Sequence, residues 1–280
     1  MTNYAAAGRQ ATTAPNADPD NHPILVDTTD AVRTITLNRP AALNSFDSGM
    51  KHAMLSVLND AASDDDVRVV VITGAGSAFC AGQDLKEHLV RVRAQDPRVA
   101  ETVTEFYNPM IRTITTMNKP VIAVINGVAA GAGAALAFAC DARIAASSAS
   151  FSMAFARVAL SADSGASFTL PRLIGRGRAM RLMMTGEKVG AVEALRIGMV
   201  DEVVNDEALA DRVHAVAVDL ANSSTVALGW IKASLRYGET HSLDETLEFE
   251  NEAQVACFAS PDHREALDAF VEKRRPTFRP

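Results

Sequence analysis

Asp163 stands in the stretch Leu160-Ser161-Ala162-Asp163-Ser164-Gly165, with Phe151, Phe155, Val158 and Phe168 around it in sequence and Arg157 as the nearby charge. A carboxylate in apolar surroundings is costly to ionise, so its pKa rises toward that of a general base working near neutrality. An aspartate before small residues is also a good helix N-cap, and the residues leave both roles open. Two glycine-bearing turns lie upstream. The run Val121-Ile122-Ala123-Val124-Ile125, bounded by Pro120 and Asn126-Gly127, leads to Gly131-Ala132-Gly133. The run Val69-Val70-Val71-Ile72-Thr73-Gly74 leads to Ser77-Ala78-Phe79-Cys80-Ala81-Gly82-Gln83-Asp84-Leu85. Both runs read as buried strands that stop abruptly. A glycine turn that opens a helix leaves backbone N–H groups pointing outward, although tight helix–sheet packing also favours glycine there. Two such turns, each giving one N–H to the same oxygen, make an oxyanion hole.

The remaining chain supplies elements to hold these turns. Residues 24–27 and 32–37 are strand-like and split by Thr29-Asp30, which predicts an opening hairpin. The loop from Asn38 to Asn44 precedes a helix over 48–62, with Ser45 or Asp47 as its cap. Ser63-Asp64-Asp65-Asp66 reads as a solvated acidic turn, and residues 86–97 as a polar segment without pattern. A helix over 98–117 and a small-residue helix from Gly131 to Cys140 follow, then strands at 142–145 and 150–153. A helical turn over 171–175 is expected before a buried helix over 176–185, with 186–194 read as a turn entering another helix that ends at Gly198, and 199–204 as a short strand. Four helices close the chain, over 208–222, 226–237, 242–259 and 262–274. Repeated strand–strand–helix units define an α/β fold. The expected division is an irregular tail over 1–21, a core over 22–207 and a helical region over 208–280.

A chain of 280 residues suits one large domain, or one domain with an appendage. Its net charge of −7 and lack of a long basic run argue against nucleic acid as a partner. No apolar run is long enough to span a bilayer, and the N-terminus lacks a basic region followed by an apolar core. A cytoplasmic protein without a membrane partner is therefore expected. Cys80, Cys140 and Cys257 sit among apolar or small residues without CxxC spacing, and the histidines form no metal motif, so no metal site is expected.

Phe79-Cys80-Ala81-Gly82-Gln83-Asp84-Leu85 and Asn126-Gly127-Val128-Ala129-Ala130-Gly131-Ala132-Gly133 together resemble the crotonase (enoyl-CoA hydratase/isomerase) superfamily, over nearly the whole chain. The resemblance implies a spiral of β-β-α units with a C-terminal helical trimerisation region, giving a homotrimer or a dimer of trimers. It implies a coenzyme A thioester as substrate, not a resident cofactor, with its oxyanion held by the N–H groups of Gln83 and Ala132. CoA contacts are implied for Ala42 and Leu43, for Ala81, Gln83, Asp84 and Leu85, and for Ala132. Phe270 and Lys273 match positions that reach a neighbouring subunit's CoA, though a core aromatic and a solvated lysine are equally open readings. Ala41 replaces a lysine common among relatives, which removes one phosphate contact.

In this family, two glutamates carry out hydration, and their positions here hold Ala135 and Phe155. Neither side chain carries a proton, whereas Asp163 stands where several relatives place their acid. Tyr107-Asn108-Pro109, Phe151-Ser152-Met153-Ala154-Phe155 and Arg176-Gly177-Arg178-Ala179-Met180 resemble bacterial isomerases of ring-epoxidised phenylacetyl-CoA, which also shift double bonds in acyl-CoAs. Ser164-Gly165-Ala166-Ser167 departs from the Gly-Gly pair and threonine of those relatives. The leading expectation is an acyl-CoA isomerase with Asp163 as general acid and base. A hydratase in which Asp163 positions water, and a non-catalytic CoA-binding scaffold, are the alternatives.

Overall fold

The computed structural model describes residues 22–278, so the tail expected over 1–21 lies outside the described residues. Strands β1 (Ile24–Thr29) and β2 (Val32–Leu37) form the antiparallel hairpin that the two short runs predict. Helix α1 (Ser48–Ser63) follows, capped by Asp47, whose Oδ1 accepts from the Met50 N–H at 2.8 Å. Three strand pairs come next: β3 (Val69–Gly74) with β4 (Ala78–Cys80), β5 (Val121–Ile125) with β6 (Val128–Ala130), and β7 (Ala142–Ala146) with β8 (Ser150–Ser152).

The first member of each pair joins one sheet and the second joins another. Counting β9 (Lys188–Gly190) and β10 (Glu202–Val204), the larger sheet runs β1-β2-β3-β5-β7-β10 and the smaller β4-β6-β8-β9. From β2 onward the larger sheet is parallel. Parallel strands need both faces covered, and the five residues of β5 are all buried. Each chain turn thus advances one strand in both sheets, which is the spiral of β-β-α units expected from the sequence. The helices between turns are α2 (Leu85–Arg93), α3 (Asn108–Thr116), α4 (Ala132–Ala139), α5 (Ala166–Ile174), α6 (Arg176–Thr185) and α7 (Ala191–Arg196).

Several local expectations change. Residues read as patternless after Leu85 form α2, because Asp84 caps it and Glu87 pairs with Arg91 one turn on at 3.0 Å. The helix expected over 98–117 is interrupted. A 3-10 turn at Pro97–Val99 and a π-turn at Val103–Tyr107 precede α3, and Pro109, lacking an N–H, cannot continue the regular ladder there. Residues 188–190 form a strand, not only a turn, since they pair antiparallel with the open edge of β8. The acidic turn is not merely solvated: Asp64 pairs with Arg33 at 2.7 Å, and its carbonyl accepts from the Lys119 ammonium.

Four helices end the chain: α8 (Leu209–Ala221), α9 (Thr225–Gly238), α10 (Leu243–Ala259) and α11 (Pro261–Glu272). The buried face of α8 is Leu209, Val213, Ala217 and Ala221, and it packs on β2, β3 and β7. That helix therefore lies with the sheet, although a division at residue 208 groups it with the other three. α9 packs on α10, and α10 on α11. No described helix is long and apolar enough to cross a membrane.

Candidate active site

The first turn is held by a short segment that imitates a strand. Phe46 and Gln83 form an isolated parallel bridge: the Phe46 N–H donates to the Gly82 carbonyl at 2.7 Å, and the Asp84 N–H donates to the Phe46 carbonyl at 3.1 Å. Alternation along an extended chain then turns the N–H and C=O of Gln83 away from Phe46. On that far side lies the second turn. A Cβ placed on Gly82, whose φ is +88°, would stand 2.7 Å from the Ala130 carbonyl oxygen and 3.2 Å from the Ala132 nitrogen. Glycine at this position lets the two backbones meet.

Ala132 is the first residue of α4, so its N–H has no partner within the helix. Gly131 before it has φ +50° and ψ −125°, a conformation that side chains other than glycine's strongly oppose. This conformation lets the Gly131 N–H donate to the Ser152 carbonyl at 2.9 Å while α4 starts in the next residue. The Gln83 and Ala132 turns, separated by a long stretch of sequence, therefore adjoin. Their two N–H groups, together with the positive end of α4, suit an oxygen that gains negative charge.

Around the first turn, polar contacts fix the loop expected to bind CoA. The Ala81 N–H donates to the Leu43 carbonyl at 2.9 Å, joining the Ala42-Leu43 loop to the 81–85 turn. Leu43 is left-handed, with φ +50°, and 44% exposed. Asn44, fully buried, accepts from the Arg39 N–H at 2.8 Å and donates to the carbonyls of Ala75 (2.9 Å) and Ala78 (2.8 Å). Asp84 caps α2 through the N–H groups of Lys86 and Glu87 and pairs with Arg39 at 3.1 Å. Burial acts to raise its pKa, but these hydrogen bonds outweigh it and hold the carboxyl below its ordinary value. Asp84 is thus a scaffold for the turn, and Leu85 follows it half-exposed at the start of α2.

Asp163 is not a cap. Helix α5 starts after Gly165, which is left-handed at φ +72° and gives no side-chain cap. Ser164 before it is also left-handed, at φ +51°, and buried. Its hydroxyl donates to Asp163 Oδ1 at 2.9 Å. Burial raises the Asp163 pKa, and the Ser164 hydrogen bond only partly offsets the rise. No cation pairs with this carboxylate among the described residues.

Tyr107 connects the parts. It is buried, it packs edge-on against Phe46, and its hydroxyl donates to the Gln83 side-chain Oε1. Burial, and next the charge of Asp163, push the Tyr107 pKa well above its ordinary value, so it stays protonated. Its tie to Gln83 was invisible in sequence, since Tyr107 sits in the irregular π-turn and pairs across a long loop. Ala135, fully buried on α4, and Phe155, buried in the 3-10 turn Ala154–Val158, belong to the apolar core. Phe270, 81% exposed, and Lys273, the left-handed residue closing α11, lie far along the chain on a helix that packs on α10. No group of three or more metal-ligating side chains occurs among the described residues.

These features have counterparts in known proteins. The family model described as enoyl-CoA hydratase/isomerase matches residues 27–280. The chain is 44% identical to the 1,2-epoxyphenylacetyl-CoA isomerase of Escherichia coli K12, over 88% of this chain and 94% of that protein. It is 34% identical to the short-chain-enoyl-CoA hydratase of Clostridium acetobutylicum, over 87% of this chain and 92% of that one. A crystal structure of enoyl-CoA hydratase from Bacillus anthracis superposes with a TM-score of 0.87 at 36% identity, covering 91% of this chain and 98% of the other. With a spiral of paired strands, two adjoining glycine turns and matches over almost the full length, the chain belongs to the enoyl-CoA hydratase/isomerase family of the crotonase superfamily.

Proposed function

We propose that this protein is an acyl-CoA isomerase, shifting a double bond or isomerising an epoxidised phenylacetyl-CoA ring through a thioester enolate. The reading is supported by a half-buried carboxylate, Asp163, that takes no capping role, and by the alanine and phenylalanine at the two hydratase positions, Ala135 and Phe155. Asp163 takes a proton from carbon as the base. The electron pair moves into the thioester, and the N–H groups of Gln83 and Ala132 bind the oxygen that receives the charge. Asp163, now neutral, returns the proton at another carbon, and no water enters the product. The CoA lies against Ala42, Leu43, Ala81, Asp84 and Leu85. Hydration remains the second reading, because relatives bearing hydratase names share the fold.

The test is a panel of enoyl-CoA and ring-epoxidised acyl-CoA substrates in ordinary and heavy water, with products weighed by mass spectrometry. Isomerisation is expected to leave product mass unchanged in ordinary water and to add deuterium in heavy water. A gain of one water would reject the isomerase reading in favour of hydration.

The assembly reading, a homotrimer or a pair of trimers, draws support from the helical end of the chain. Leu235 (71%), Leu243 (72%), Phe258 (62%) and Phe270 (81%) are exposed there, and apolar surface of this kind marks interaction sites. A cleft of about 800 Å³ also lies between α9, at Leu228, Ile231 and Leu235, and the body at Ile111, Phe138 and Leu173. In this reading a neighbour covers these faces and receives Phe270 and Lys273 beside its CoA. Light scattering at micromolar concentration should give three or six subunits, and a monomer mass would exclude the arrangement.

A further inference from the structure

Of the two N–H donors, that of Ala132 is fixed by the helix it starts, whereas Gln83 lies outside any named strand or helix. Phe46 bonds only to its neighbours, Gly82 and Asp84, and the Gln83 N–H has no acceptor of its own among the described residues. The remaining hold on Gln83 is through its side chain. Its Oε1 accepts from the Tyr107 hydroxyl, and Gln83 makes no other side-chain hydrogen bond among the described residues.

Tyr107 is itself well fixed. Its buried ring packs edge-on against Phe46, with centroids 5.9 Å apart, and the Lys51 ammonium stands 6.0 Å from its centroid. It closes the π-turn from which α3 continues, and Met110 and Ile114 anchor α3 in the core. One turn after Tyr107, on the same face, comes Ile111. A Cβ added to Gly165 would stand 3.4 Å from Ile111 Cγ2, and Gly165 ends the turn that carries Asp163. The helix that holds Tyr107 on the Gln83 turn therefore also abuts the turn of the proton carrier. Consistent with this, the charge of Asp163 adds to burial in raising the Tyr107 pKa.

We propose that Tyr107 is a positioning residue, whose hydrogen bond to the Gln83 side chain keeps the Gln83 N–H aligned on the thioester oxygen. The inference rests on the thioester reading of the site. Removing the hydroxyl alone leaves the ring packing in place and frees the Gln83 side chain to rotate. A small misplacement of a reacting or donating group costs up to about 10²-fold. That loss falls on the charged state, because only there does the donor meet a full negative charge.

The test uses two thioesters and needs no turnover. Acetoacetyl-CoA ionises to an enolate that spreads negative charge onto the thioester oxygen, and near-ultraviolet absorbance follows the enolate. Butyryl-CoA stays neutral, and calorimetry with it measures uncharged binding. Wild-type protein should shift bound acetoacetyl-CoA toward its enolate relative to the free ligand. Tyr107→Phe should reverse that shift by ~10-fold in the ionisation equilibrium, with butyryl-CoA affinity close to wild type. Gln83→Met, which removes the acceptor, should give the same reversal, and the double variant no more than either single one. Wild-type ionisation in Tyr107→Phe overturns the inference alone, and that is the result if the tyrosine only fills the core, whatever happens to the unfolding temperature. A double variant whose effect is the product of the two singles also overturns it, since Tyr107 then acts by another route. Should Tyr107→Phe fail to fold, Gln83→Met, at a partly exposed side chain, decides in its place, and wild-type ionisation there rejects the proposal. A wild type that binds neither thioester, or binds both without favouring the enolate, removes the thioester-enolate reading and this inference with it.

Discussion

Asp163→Asn is expected to lower isomerase turnover by about 10²–10⁴-fold, the usual contribution of a positioned acid–base group. Thioester affinity should stay near wild type, because asparagine keeps the shape and still accepts from Ser164. The pH dependence gives a second reading of the same residue. Burial raises the Asp163 pKa, so its base form is lost on the acid side earlier than for an ordinary aspartate. The acid limb of kcat/KM should therefore lie above the normal carboxylate range in wild type and be missing from any residual activity of the variant. Stability should move the other way. A folded pKa above the unfolded one gives stability that is full below the unfolded pKa and is lost as pH rises through the folded value. At neutral pH the ionised Asp163 thus opposes folding, and Asp163→Asn should unfold at the same temperature or higher. An Asn variant with full isomerase activity would remove Asp163 from the mechanism.

Ala132→Pro tests the other half of the chemistry. Ala132 occupies the first position of α4, where proline is well tolerated because the N–H it lacks has no helical partner. The substitution therefore deletes one oxyanion donor with little change in helix structure. Turnover should fall by about 10²–10³-fold, as for removal of one such donor elsewhere, while circular dichroism and thermal unfolding remain close to wild type. The loss should appear in kcat more than in KM, since the donor binds charge that develops only during reaction. Unchanged kcat in a folded Ala132→Pro protein would show that this N–H does not face the reacting oxygen.

Residue types and spacing alone determined the strand order of events along the chain. The β-branched runs at 69–74 and 121–125 are strands because they are buried on both faces, and the runs at 24–27 and 32–37 pair as a hairpin. The C-terminal helices are legible from their own amphipathic pattern, and the structure adds the caps, Ser224 for α9 and Ser242 for α10. The glycines at 82 and 131 were likewise legible as special positions, because their left-handed backbones exclude most other residue types. Local pattern could not decide what depends on distant partners. The α2 segment became a helix through its Asp84 cap and an Arg39 anchor from another loop, and the Asp64 turn became a clasp through Arg33 and Lys119. Tertiary packing alone took Asp163 out of the cap position, because α5 starts three residues later, after the left-handed Ser164 and Gly165. It also tied Tyr107 to Gln83 and set the Lys51 ammonium 6.0 Å from the Tyr107 ring. Those contacts join segments far apart in sequence, and a hydrogen bond across such a distance leaves no periodicity to read.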